Sequence, residues 1–340
     1  MLKSIIVTTT ILSALIIITS QDALHAEESP KPWLAPIEDL AKLPEEEIDI
    51  GNVALLLAKE AFPDLDVKKY SDQIDQMVKD IRKLNSGSTD PDFRIRSINT
   101  YFYLDKGIHY DKDDQYGREL KNRFLNGILD TKSGSCATMP LLYLAVAQRL
   151  GYPIYPVAAP QHLFLRYVTP KMEMPNIEAV GGGGYSSDEH YIHVMEIPEK
   201  GIQHGAYLET MTYKQMLGDL ITENGFYWAH QDDYMRAIKY LEIGTKLNTK
   251  AAEAYRFLGN VYYNIAADYR TQSTYLYDTG DPHVDKTLKI TRNLYEQYCR
   301  NFMNKGDIAI SRAHYLGVAP PLKQNYWIRQ EKRALELKKL

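Results

Sequence analysis

The chain has 340 residues, a formal net charge of -4 and 25% charged residues. That length suits one large domain or two modest ones, and the balanced charge excludes the concentrated basic face that nucleic acid requires. Two cysteines and 26 tyrosines are the unusual features of the composition.

In chain order, MLKSIIVTTTILSALIIITSQDALHAEESP places Lys3 before an apolar run from Ser4 to Ser20, then a small residue, Ala26. This predicts a signal peptide over 1–26 and an exported protein, periplasmic or extracellular. A retained N-terminal membrane anchor is the alternative, because the run is just long enough to span; beyond it no membrane contact is expected. A Pro-rich linker is expected over 27–47. The region 48–95 reads as helical: Val53, Leu56, Leu57, Ala61 and Phe62 recur at helical spacing, Pro63-Asp64 stops that helix, and Tyr70 to Leu84 forms another. NSGSTDPD, 85–92, has the composition of a loop.

The region 96–212 is mixed. Ser97 to Leu104 and Arg118 to Leu129 read as helices, and 154–158, 162–168 and 176–180 as short strands. The glycines 181–184 read as a flexible loop. From 213 to 340 the chain reads as helical and repeats. Tyr255, Leu258, Gly259 and Tyr262 fit the first helix of a tetratricopeptide unit. Ile221, Asn224, Gly225 and Trp228 occupy the same slots 34 residues earlier, and Ala237 falls on the small position of that unit's second helix. Lys286 to Gly317 reads as a third, irregular pair. Too few units exist for a free-standing array, so the repeats are expected to dock on the preceding domain and to offer a surface for a protein partner.

The segment SGSCATMP, 133–140, puts one of the two cysteines at the start of a helix. Gly134 permits a sharp entry, Pro140 is tolerated only in a first turn, and Gly151 with Pro153 ends the helix. At a helix start the backbone N–H groups and the dipole favour an anion, which suits a nucleophilic thiolate. The bland alternatives are a small buried cap residue or a disulfide with Cys299. A nucleophile needs a base and the base an orienter. His162 opens the strand HLFLRY, sharing a face with Phe164 and Arg166. Asn176 and Glu178 share a face of the next strand, and either could accept from the imidazole. The Cys136 backbone N–H supplies one oxyanion donor; Asn122 and Gln161 are candidates for the second. His190 and His193 form an H-x-x-H pair on what reads as a strand, without a further ligand nearby, so no metal or cofactor is expected. Asp232 and Asp233 read as a helix cap.

GSCATMPLLYLAVAQRLGYP, then PQHLFLRY, then NIEAVGGG resemble the transglutaminase-like superfamily. IGNVALLLAKEAFPDLDVKKY and GAYLETMTYKQMLGDLITENG resemble a bacterial branch of it that carries N-terminal helices and C-terminal tetratricopeptide repeats. The resemblance implies an α+β, papain-like core, with N-terminal helices and a C-terminal all-α tetratricopeptide-like array. It implies Cys136 as nucleophile, His162 as base and Glu178 as third member, Asn176 being the alternative. Ala137 stands where animal transglutaminases carry Trp, and the sequence has no calcium-binding acidic cluster. Hydrolysis of an amide and acyl transfer to a small amine therefore stand open beside crosslinking. The expected function is an exported cysteine acyl hydrolase or transferase on peptide or protein amide bonds. A non-catalytic peptide- or protein-binding module working through its repeats is the rival.

Overall fold

A computed structural model describes residues 35–114, 117–173 and 175–319; the expected signal peptide lies outside them. The described chain forms two compact units, 40–261 with 306–319, and 35–39 with 262–305.

Part of the expected linker is helical: α1 spans Ala35–Lys42, with Pro36 in its first turn, followed by a 3-10 turn at Glu45–Glu47. α2 (Ile50–Ala58) starts on Asp49, whose side chain accepts from Asn52 N. The helix stops before Ala61 and Phe62, and Leu56 is exposed rather than facing the core. α3 (Val67–Asn85) is capped by Asp66 and closes on Ser86 in the left-handed region. α4 (Pro91–Asn99) begins earlier than the sequence suggests, because Asp90 caps it and Pro91 pre-sets its first turn. It runs on as a π-helical turn, Thr100–Asp105. The expected 118–129 helix is a 3-10 turn at Leu120–Asn122 and a short α5, Leu125–Thr131.

A two-residue parallel pair, β1 (His109–Tyr110) with β2 (Ser133–Gly134), leads into α6 (Thr138–Leu150). Every residue from Thr138 to Ala147 is buried. A helix apolar on all sides must sit between layers, and α6 is flanked by α2, α3 and α5 and by the sheet strands. That sheet is antiparallel in the order β3 (Ile154–Ala159), β4 (His162–Tyr167), β5 (Asn176–Glu178), β6 (Gly184–Ser186). The glycines between β5 and β6 form a tight turn rather than a free loop. Gly183 sits at φ +75, its carbonyl accepts from Asn99 Nδ2 at 2.9 Å, and a Cβ there would lie 2.0 Å from Asn99 Oδ1.

The segment carrying His190 and His193 is not a strand. It forms α7 (Asp188–Met195), capped by Ser187, with Tyr191 and Met195, four apart, as its buried face. α8 (Glu199–Gln203) follows. Thr212 and Gln215 form a reciprocal capping box that starts α9 (Tyr213–His230). Asp233 caps α10 (Tyr234–Leu247) by accepting from Arg236 N. α9 packs in the unit of the sheet: Asn224 Nδ2 donates to Leu57 O at 3.2 Å, and Tyr213 N and Lys214 N donate to the Glu45 carboxylate. α11 (Ala252–Thr274) continues unbroken past Asp268, and 286–317 is not a helix pair: α12 (Pro282–Tyr315) is one continuous helix. No glycine or proline interrupts the run from Val284 to Lys305, so it lacks the strongest helix breakers. In the second unit α11 and α12 meet through aromatics, Tyr269 lying 5.1 Å from Tyr298 and 5.9 Å from Phe302, centroid to centroid. Among the described residues no helix is long and apolar enough to cross a membrane. Both cysteines are free thiols.

Candidate active site

Ser135 builds the entry to α6. Its hydroxyl accepts from the N–H groups of Ala137 and Thr138, and its carbonyl accepts from Met139 N at 3.1 Å. Thr138 Oγ1 returns the bond by accepting from Ser135 N at 2.9 Å. This reciprocal bonding holds Cys136 in the turn just ahead of α6, before the cap residue Ala137, with its side chain half-buried.

His162 reaches the thiol through the β3–β4 hairpin. Ala159 pairs with His162 across a two-residue turn, Pro160-Gln161. Gln161 sits at φ +54. For a side-chain-bearing residue that conformation costs about 1–2 kcal/mol, and such strain concentrates where function needs it. The turn brings the Gln161 carbonyl within 3.7 Å of Cys136 Sγ.

The imidazole lies with Nε2 2.8 Å from Glu178 Oε2, while Nδ1 is buried without a partner aligned for a hydrogen bond. Burial alone would push the imidazole pKa down. The Glu178 carboxylate and Cys136 beside the ring reverse that and raise it to about 10, which favours the imidazolium form. Glu178 is held in turn. Its carboxylate accepts from Tyr191 Oη at 2.9 Å and from Val180 N at 3.2 Å as well as from the ring. Burial would raise its pKa, but these donors and the imidazolium keep it below the ordinary carboxylate range. Tyr191 is buried and stacked on Phe164, ring centroids 4.0 Å apart. Tyr191 is hard to find from sequence because it lies within the H-x-x-H run, which reads as a strand and is a helix.

Asn176 points elsewhere. Its Oδ1 accepts from Arg166 Nε at 2.7 Å and its Nδ2 donates to Asp188 Oδ1 at 2.7 Å. Arg166 also donates to Asp188 Oδ1 at 2.6 Å and to Leu208 O. This network fixes β4 against β5, Arg166 opposite Asn176, and anchors the start of α7. The register leaves Glu178 facing the imidazole and carries Tyr191 to Glu178.

The two oxyanion candidates separate. Asn122 is 1% exposed, and its Nδ2 donates to Asp111 and Asp114, both at 2.9 Å. The bonds from Asn122 and Lys121 hold Asp111 down at about 2, so both amide hydrogens are spent on carboxylates and none remains for an oxyanion. Its backbone carbonyl instead accepts from Ser135 Oγ at 2.7 Å. Gln161 lines the site with an exposed side chain. His190 and His193 lie on α7, and no group of three or more metal-binding side chains occurs among the described residues.

Cys136, Gln161 and His162 open onto a cleft of about 410 Å³. Its other wall comes from α9 and the start of α11 and includes Asp219, Glu223, Phe226 and Glu253. A thiol just ahead of a helix N-terminus, an imidazole beside it and a carboxylate behind the ring can together attack a carbonyl carbon and take up the acyl group on sulfur.

The model of the transglutaminase-like superfamily matches residues 68–221, so the chain carries a transglutaminase-like domain over that range. Three curated relatives, each called a UPF0162 protein, are similar to part of the chain. The Xylella fastidiosa (strain Temecula1) protein is 26% identical over 128 residues, 38% of this chain and 45% of that protein. The Pasteurella multocida protein is 29% identical over 94 residues, 28% and 35% of the two chains. The Haemophilus influenzae protein is 30% identical over 90 residues, 26% and 33%. The chain thus spans less than half the length of these relatives. No solved structure matches it.

Proposed function

We propose that the protein is an exported cysteine-dependent acyl hydrolase or transferase acting on peptide or protein amide bonds through Cys136, His162 and Glu178. The observation that carries this reading is the Glu178–His162 pair, 2.8 Å apart and buried behind a helix-start thiol. The Cys136 thiolate attacks the carbonyl carbon, and its electron pair forms the C–S bond while the carbonyl π pair moves to oxygen. The oxygen reforms the carbonyl as the C–N bond breaks, and the imidazolium gives its proton to the leaving amine. Water or an acceptor amine then attacks the thioester, the imidazole takes its proton, and the thiolate leaves. The Cys136 backbone N–H and the Gln161 side chain are the oxyanion donors in this reading.

The helices after 213 serve as a tetratricopeptide-like array. Gly225 and Gly259, one repeat apart, each lie where a following helix leaves no room for a side chain. A Cβ would fall 2.7 Å from Leu241 Cγ at the first and 2.6 Å from Ile310 Cγ1 at the second. Ala237 is fully buried at the small position between. The array is available to a protein partner. Export rests on the sequence of 1–26.

A library of peptide p-nitroanilides tests the activity. Release of p-nitroaniline by the wild type but not by Cys136→Ser, with an acyl mass increment on Cys136, is the expected result. No release from any member, and no adduct at Cys136, would overturn it.

A further inference from the structure

The turn that carries Cys136 rests on a buried polar network that the triad does not use. Its centre is Asn122, at the end of the 3-10 turn Leu120–Asn122. The Asn122 amide joins Asp111 Oδ2 to Asp114 Oδ2. Both carboxylates are buried, and each is tied further. Asp114 accepts from Arg118 N at 2.8 Å and from Glu119 N at 2.9 Å, and Asp111 pairs with Lys121 at 3.1 Å. Gly127 of α5 packs on the same turn, where a Cβ would fall 1.9 Å from Lys121 O.

This network meets the nucleophile turn at two points. Asp111 N donates to Gly134 O at 2.8 Å, and Ser135 Oγ donates to Asn122 O at 2.7 Å. The Ser135 hydroxyl thereby has a fixed direction. Its hydrogen goes to Asn122, and its oxygen is left to accept from Ala137 N at 3.1 Å and Thr138 N at 3.2 Å. Ser135 N donates to Thr138 Oγ1, and Met139 N to Ser135 O. From 135 to 139 the N–H groups are thus engaged, with one exception. Among the described residues no acceptor meets the N–H of Cys136. Cys136 lines the cleft, so this N–H is left to an oxygen that enters there.

Stability alone does not call for this arrangement. Buried carboxylates carry a large desolvation cost, and apolar side chains of similar volume hold a fold at least as well. What the network supplies is position. A group that acts on a transition state has to be held within about 0.5 Å of its productive place, and the bonds around it do the holding.

We propose that Ser135 and Asn122 are positioning residues that aim the Cys136 N–H at the oxygen of the carbonyl under attack. Asn122 fixes the backbone carbonyl that receives the Ser135 hydroxyl. Ser135 in turn engages the two N–H groups that follow Cys136, so that the Cys136 N–H is the one left for the substrate. This rests on the Cys136 reading above and adds the residues that shape its oxyanion site. Asn122 serves that site through its backbone carbonyl, with its amide as the brace.

Two reactions of the same thiol test these roles. p-Nitrophenyl acetate acylates the thiolate through an oxyanion: the sulfur pair forms the C–S bond, the carbonyl π pair moves to oxygen and returns, and p-nitrophenolate leaves. Iodoacetamide alkylates by displacing iodide at a methylene carbon, and no oxyanion forms. The readout is the ratio of acylation to alkylation rate at Cys136 at one pH, by site-resolved mass spectrometry, so a change in thiolate fraction cancels. It is taken on protein whose near-UV circular dichroism matches that of the wild type. In Ser135→Ala the ratio should fall on the order of tenfold or more, toward that of free cysteine. Asn122→Ala keeps the carbonyl and loses only its brace, so its ratio should fall less. A wild-type ratio retained by folded Ser135→Ala, or by Asn122→Ala where Ser135→Ala does not fold, would overturn the positioning roles. A wild type that takes no acetyl group at Cys136 would overturn the Cys136 reading, and these roles with it.

Discussion

The two walls of the cleft bury carboxylates in opposite ways. On the sheet side Glu178 accepts from an imidazole, a tyrosine hydroxyl and a backbone N–H, and stays ionised despite burial. On the helical side Asp219 accepts from one amide, and burial drives it up to about 7. The same side chain chemistry thus gives a positioning group on one wall and an unsatisfied one on the other. A carboxylate's burial says little about its role until its donors are counted.

The largest contrast should come from removing charge on the satisfied wall. In Glu178→Gln the imidazole loses the anion that overcomes its burial. His162, followed by NMR, should titrate near 10 in the wild type and fall to the ordinary imidazole value near 6.5 or below in the variant. A titration unmoved by the substitution would mean that Glu178 does not govern the ring. The sign for stability follows: a folded pKa above the unfolded one gives stabilisation that is full below about 6.5 and lost as pH rises through about 10.

A smaller effect is expected at Asn176. Asn176→Ala removes an acceptor from the half-buried Arg166 and should cost roughly 1.5–3 kcal/mol of stability in denaturant unfolding. In the folded variant the His162 titration should stay close to that of the wild type. A larger change in His162 than Glu178→Gln produces would give Asn176 the orienting role instead.

The smallest effect sharpens the other wall. The folded pKa of Asp219, about 7, lies above the unfolded value near 3.9. Its contribution is therefore full below about pH 4 and is lost as pH rises through 7. Asp219→Asn should flatten the fall in Tm between pH 5 and pH 8, and identical slopes in the two proteins would show that the group is not perturbed.

Much of the sheet-side wall was legible in the sequence. A cysteine between Gly-Ser and a proline-containing apolar run marks a helix start, and strand alternation places His162 and Glu178 on inward faces. What could not be read was the choice between Asn176 and Glu178. Both share a strand face, and the choice depends on register against β4, which the Arg166–Asp188 network sets across 22 residues. Tyr191 was hidden because a short run with alternating polarity looks like a strand until its cap, Ser187, is recognised. The Gly181–Gly184 run looked free because its partner, Asn99, is 84 residues away. The helical wall was the least legible. Nothing in the spacing of Asp219 and Glu223 points to a cleft, and it is the packing of α9 and α11 that puts them on its wall.

The most direct test of the account is site-resolved alkylation. Brief iodoacetamide treatment at neutral pH, followed by mass spectrometry of both cysteines, compares the wild type with His162→Ala. Cys136 should react well ahead of the buried Cys299, and His162→Ala should slow it by on the order of a hundredfold. Equal rates at the two cysteines, or a Cys136 rate unchanged by loss of the imidazole, would contradict it.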